Sequence, residues 1–279
     1  MNILDTPVLQ SFIACAHNGW IQGWHERNGG NLSYRMTAEE VNECRPWFDE
    51  TGPWLPLGVN APSLADEFFI VTGTNRYFQN IKDKPEENIG VAQLNDAGDA
   101  YRIVWGLTAG HMPTSEFPTH ILNHSVRVAA TRGSSRVIYH THPVDVVALT
   151  FVLPVTAKAF SRALWQAMTE CVIIFPEGVG VVPWMVCGDT EIALATAKEM
   201  ERFAAVIWAQ HGIFCAGEDF DSTFGMMHAI VKAAQIVLKV MATGLPALQT
   251  ITDDNLRAVA GFFGRPINEE FLDGSAVFR

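Results

Sequence analysis

Positive charge is scarce in this chain: 19 lysines and arginines stand against 30 aspartates and glutamates, a formal net charge of −11. Proteins that neutralise nucleic-acid phosphates need a basic face, and none can be read here, so no nucleic-acid partner is expected. A small anionic ligand stays open, because a local pocket can be positive on an acidic protein. Cysteine is sparse as well. Cys15, Cys44, Cys171, Cys187 and Cys215 are odd in number and form no CxxC pair, which argues against a disulfide framework and for a reducing, cytoplasmic setting. The start, Met-Asn-Ile-Leu-Asp, lacks the basic segment and apolar run of a secretory signal. Unbroken apolar runs are also missing. The most apolar stretches, 146–155 and 172–186, are interrupted by proline and fall short of the roughly 20 residues a membrane span needs. No membrane partner is expected.

What is abundant is apolar surface to bury. Hydrophobic residues make up 48% of the 279 positions and charged residues 18%, a balance that supports a large core and excludes disorder. Val8, Phe12, Cys15 and Gly19 recur at helical spacing. Phe68–Val71, Tyr101–Trp105, Arg136–Tyr139, Cys171–Phe175 and Ala205–Trp208 read as short strands. The stretch 46–62 is rich in Pro, Gly and Trp and reads as an irregular loop, and 96–99 as a turn. Ser115 reads as the N-cap of a helix reaching Ala130, and Asp189 or Thr190 as the cap of another reaching Phe203. Phe224, Met227, Val231, Ala234, Leu238 and Met241 mark the most regular helix, stopped by Gly244. Strands and helices are interspersed, with no repeat and no linker. The expected architecture is α/β, one layered domain over residues 1–279.

His140 and His142 stand two apart at the end of a predicted strand, so both rings can face one ion. Catalytic zinc sites take three protein ligands, and His211, after another apolar strand and before Gly212, offers the third. His120 and His124 form a rival pair, four apart on a helix. No glutamate follows His120 in the protease manner. His17, His25, His111 and His228 are read as structural or solvated.

Glu116, after Thr114-Ser115 in the first turn of a helix, has two readings: a carboxylate stabilised by the helix N-terminus, or a base beside the metal that removes a proton from carbon. Three segments could cradle a phosphate without basic side chains: Asn28–Asn31, Thr72–Asn75 and Thr114-Ser115. None matches a dinucleotide or triphosphate loop.

Taken in order, Glu26-Arg27-Asn28-Gly29-Gly30-Asn31-Leu32, Phe69-Ile70-Val71-Thr72-Gly73, Pro113-Thr114-Ser115-Glu116, His140-Thr141-His142 and His211-Gly212 resemble the class II aldolase family. The likeness is nearest to the rhamnulose-phosphate branch and includes Trp105–Thr108, Thr169-Glu170-Cys171 and Pro183-Trp184-Met185. The pattern departs at Asn75-Arg76 and at Pro143-Val144-Asp145, and it matches least beyond Thr252.

The resemblance implies a three-layer α/β/α sandwich around a largely antiparallel sheet. It implies reversible retro-aldol cleavage, in carbohydrate catabolism, of L-rhamnulose 1-phosphate to dihydroxyacetone phosphate and L-lactaldehyde. Sister activities are the alternatives: fuculose- or ribulose-phosphate aldolase, or pentulose-phosphate 4-epimerase. One Zn2+ per subunit would be held by His140, His142 and His211, with Glu116 as acid/base. Asn28, Asn31, Thr74, Thr114 and Ser115, with the backbone at Gly30 and Gly73, would hold the phosphate. Glu170 would act from a neighbouring subunit near the aldehyde end, in a homotetramer with interface active sites.

Overall fold

The computed structural model describes residues 2–108 and 110–274. One sheet of nine strands organises it: β1 (Asn31–Arg35), β2 (Leu55–Pro56), β3 (Phe68–Thr72), β4 (Ile89–Leu94), β5 (Ala100–Gly106), β6 (Val137–Thr141), β7 (Gly180–Val182), β8 (Ala205–Trp208) and β9 (Gly212–Gly217). Their spatial order is β2-β5-β4-β3-β1-β6-β9-β8-β7. Only the β7–β8 pairing is parallel; the other seven are antiparallel.

The central strands are buried on both faces, so β3 is a continuous apolar run ending in threonine rather than an alternating pattern. Parity along each strand still assigns a side. Phe68, Ile70, Val137, Tyr139, Ile213 and Cys215 join one core. That side is covered by α1 (Pro7–Ile21), α2 (Ala38–Cys44), α3 (Phe78–Ile81), α6 (Val144–Val152), α7 (Ala157–Ala167), α8 (Glu170–Ile174), α10 (Phe220–Met241) and α11 (Asp253–Phe262). Phe69 and Val71 face α5 (Phe117–Thr131), and Ile138, Phe214 and Ala216 share a core with α9 (Thr190–Met200). A short α4 (Pro85–Asn88) leads into β4. The result is helices on both faces of a largely antiparallel sheet, the three-layer arrangement expected.

Helix α10 is long and apolar enough to cross a membrane by length and composition alone. Here it is a core helix: Met227, Ile230, Ala234 and Val237 are buried, and it packs on α6, α7 and β9.

Two local expectations need correction. The Cys171–Phe175 segment is not a strand but helix α8, with Cys171 and Val172 buried. The indole of Trp165 donates to the carbonyl of Phe175 at 3.2 Å, so packing overrides the β-branched preference of Val-Ile-Ile. The cap of α5 is Glu116, one residue beyond Ser115, and its side chain makes no capping bond. The carboxylate is therefore free for other partners.

Phe214 is fully buried, with its ring stacked on His140 at 4.1 Å and tilted against Trp208 at 4.7 Å. Phe214→Ala is expected to cost about 3–5 kcal/mol of stability, read from urea unfolding.

Candidate metal centre and active site

Register brings the site together. Asn31 at the start of β1 pairs with His140 near the end of β6, and His140 pairs with Phe214 on β9. His142 lies just past β6, its backbone N–H donating to the carbonyl of Trp24 at 2.9 Å. Ahead of His211, Gln210 takes a left-handed backbone (φ 56), held by its amide bonds to Thr150 at 3.0–3.1 Å. The segment carrying Glu116 is tied to the end of β3: Thr114 N–H donates to Thr72 O and Thr74 N–H to Met112 O, both at 2.8 Å.

His140, His142 and His211 converge, their ligand nitrogens all within 4.8 Å of one another. Nε2 of His140 lies 3.0 Å from Nε2 of His142 and 3.3 Å from Nε2 of His211. Two of the outer nitrogens are engaged elsewhere. His140 Nδ1 is 3.1 Å from the carbonyl of Ile213, and His142 Nδ1 is 2.7 Å from the Glu26 carboxylate. Both partners can only accept, so each Nδ1 carries the proton and each Nε2 presents a bare lone pair inward. Tetrahedral coordination at about 2.0–2.1 Å puts ligand nitrogens roughly 3.3 Å apart, so this set fits a divalent ion. Glu26 is the backing carboxylate that such ligands commonly have. Burial holds His140 well below the ordinary histidine range and His211 down to about 4, leaving both neutral and able to ligate near pH 7.

Glu116 sits beside this centre, Oε2 being 3.7 Å from His140 Nε2. Burial raises its pKa, opposed by the Asn31 hydrogen bond and the nearby His142. Asn31 donates through Nδ2 to Glu116 Oε2 at 2.8 Å and to Thr114 Oγ1 at 3.2 Å. Its side-chain amide thus serves the carboxylate in this structure.

A cavity of about 200 Å³ gathers these groups, lined by the three histidines, Glu116, and Asn28, Gly30, Asn31, Gly73, Thr74, Thr114 and Ser115. Gly30 adopts φ 74, and a Cβ there would stand 2.6 Å from the His140 carbonyl and from His25 Nδ1. Only glycine fits. Every anticipated site residue except Glu170 lines this cavity; Glu170 is exposed on α8. Sequence reasoning missed Cys187, which also lines it and carries no signal in its neighbours. His25, one of the histidines read as structural or solvated, proves structural: it bridges the Gly29 carbonyl (2.9 Å) and the Tyr139 hydroxyl (2.8 Å). The rival pair His120 and His124 is fully buried and hydrogen-bonded through Ser33, not turned to the cavity.

Residues 10–238 match the family model of the class II aldolase and adducin N-terminal domain, and the chain belongs to that family. Rhamnulose-1-phosphate aldolase of Escherichia coli O1:K1 is 41% identical over 263 residues, covering 94% of this chain and 96% of the relative. The same enzyme of E. coli O9:H4 (strain HS) matches to the same extent. In fold, the chain is similar to a sugar-phosphate aldolase from Thermotoga maritima, with a TM-score of 0.71 at 24% identity over 85% of this chain and 95% of that one. It is also similar to L-fuculose-1-phosphate aldolase from Thermus thermophilus, with a TM-score of 0.55 at 20% identity over 86% and 97%.

Burial depresses His25 and His120 from an ordinary 6.5 to about 3. Between those values the unfolded chain binds more protons, so their contribution to stability is intact above about pH 6.5 and declines as pH falls towards 3. The raised carboxyls of Glu116 and Glu177 work in the opposite sense. For protein stripped of metal by chelator, the melting temperature should drop steadily from about pH 7 to about pH 4. A flat profile would contradict neutral burial of these rings.

Proposed function

We propose that this protein is a zinc-dependent rhamnulose-1-phosphate aldolase. It would cleave L-rhamnulose 1-phosphate reversibly to dihydroxyacetone phosphate and L-lactaldehyde in the cytoplasm. The single observation that carries the reading is the buried carboxylate of Glu116 standing 3.7 Å from a nitrogen of the three-histidine cluster. The near full-length identity to enzymes of that name supports the substrate. Residues 1–279 act as one domain, and His140, His142 and His211 hold one Zn2+ per subunit. Imidazole ligation suits zinc, and when bound the ion would supply a Lewis acid that stabilises the negative charge developing on the substrate.

The protein groups have separate tasks. Backbone N–H groups around Gly30 and Gly73, with Asn28, Thr74, Thr114 and Ser115, grip the phosphate and fix the sugar's orientation from a point remote from the reacting carbons, while the Asn31 amide, expected to be a phosphate ligand, holds Glu116. Glu116 handles the proton at C3. It removes that proton from dihydroxyacetone phosphate in synthesis and returns it once the C3–C4 bond has broken in cleavage. Glu170 is exposed in one subunit; in a homotetramer with interface active sites it serves the aldehyde end of a neighbour's pocket.

A coupled assay of dihydroxyacetone phosphate release from a panel of ketose 1-phosphates should show preference for L-rhamnulose 1-phosphate and loss of activity with chelator. Inversion of ribulose 5-phosphate without triose release would point to a 4-epimerase instead. Glu116→Gln should leave metal content near the parent level while slowing exchange of the C3 proton of dihydroxyacetone phosphate by roughly 10²–10⁴-fold. Unchanged exchange removes Glu116 from the base role.

A further inference from the structure

Behind Glu116 runs a buried polar chain. Ser33 Oγ lies 2.8 Å from Nε2 of His124 and 2.6 Å from Nδ1 of His120. His120 Nε2 meets Asn31 Oδ1 in a short hydrogen bond, and Asn31 Nδ2 donates to Glu116 Oε2. Ser33, His120 and His124 are fully buried, and Asn31 is 5% exposed. None of the first three lines the cavity.

We infer that Ser33, His120 and His124 are positioning residues that lock the Asn31 amide with its N–H towards Glu116, keeping the facing carboxylate oxygen a hydrogen-bond acceptor. The inference rests on the reading of Glu116 as the base.

Proton counting gives the direction. An ionised Glu116 only accepts, so Asn31 must turn its NH2 to it and its carbonyl oxygen to His120. His120 Nε2 must then carry the ring's one proton, which leaves Nδ1 bare. Ser33 donates its hydroxyl proton to that nitrogen and accepts from His124 Nε2–H. The chain ends at His124 Nδ1, which is buried without a hydrogen-bond partner among the described residues. In this polarity that atom is a bare acceptor. Reversing the chain requires a protonated Glu116 and a flipped amide, and it turns the same atom into a buried N–H with nowhere to donate. Orphaned buried donors are the rarer and costlier case. The strand-and-helix frame thus selects one amide orientation without a second charge near the site.

Two measurements test this on the full-length protein with its metal. In 15N-histidine NMR, assigned by single-residue variants, His120 and His124 should both be Nε2–H tautomers; Nδ1–H at either overturns the inference. Kinetically, His120→Phe removes the donor to Asn31, whereas His120→Gln can still offer an N–H from a similar position. With ketose 1-phosphate as substrate, His120→Phe should lower kcat about 10- to 100-fold, with KM within about twofold and metal content unchanged. His120→Gln should recover most of the loss. Equal losses in both variants, an effect confined to KM, or no effect each overturn it. Should His120→Phe fail to fold, Ser33→Ala takes its place, with an expected kcat loss of about 3- to 10-fold. Normal C3 exchange in Glu116→Gln would defeat the base reading and leave the tautomers as found, so the two failures are distinguishable.

Discussion

The outward hydrogen bonds of two imidazoles are the constraint on which the site depends. Because His140 spends its Nδ1 proton on the Ile213 carbonyl and His142 spends its own on Glu26, both Nε2 lone pairs are left facing inward. Two like dipoles at 3.0 Å repel unless something positive lies between them. The scaffold must therefore hold them there, and its rigidity comes from strand pairing. β6 is flanked by β1 and β9, so the His140 ring, the residue that contacts Glu116, and the Phe214 platform share one register. Gly212 belongs to the same design. A Cβ on it would collide with the Thr141 carbonyl and approach the His142 ring to 2.8 Å, so the turn that delivers His211 passes close to the other two histidines only without a side chain.

Much of this was legible in the chain, and the limits of legibility have physical causes. Strands β3, β6 and β8 could be read because burial on both faces writes them as plain apolar runs. β1 was passed over, since Asn31, which lines the cavity, and the buried Ser33 behind it are polar and break the apolar signal. The strand that matters most to function looks least like a strand. Glu116 was read as sitting in the first turn of a helix, which left the capping role open; only its backbone position and the missing capping bond free it for the site. Spacing favours His140 and His142 over His120 and His124 without settling the contest. Both pairs are close in space, and what separates them is the outlet of each ring: Ser33 and Asn31 for His120 and His124, the cavity for the others. Spacing along a chain reports which side chains share a face, and says nothing of what waits on the other side of that face.

Charge balance gives the remaining reason for the arrangement. Among the described residues, those lining the cavity include one carboxylate, Glu116, and no lysine or arginine. A second cavity of about 470 Å³, lined by Arg35, Arg45 and Arg136, lies at the far end of β1 from Asn31, too remote to help. A phosphorylated sugar entering the histidine cavity would thus meet negative charge and neutral dipoles. Backbone N–H groups and hydroxyls can bind an oxyanion, but they do not neutralise it. A divalent ion held by the three histidines would carry two positive charges, and among the described residues no side chain lining that cavity could offset both the substrate and an ionised Glu116 as it would. Neutral imidazoles are required for the same reason: protonated rings would supply positive charge only by surrendering the lone pairs that would hold the ion. The acidity of the protein as a whole and its fitness for an anionic substrate are therefore compatible, because the positive charge of the site is carried by the ion that the fold is built to grip.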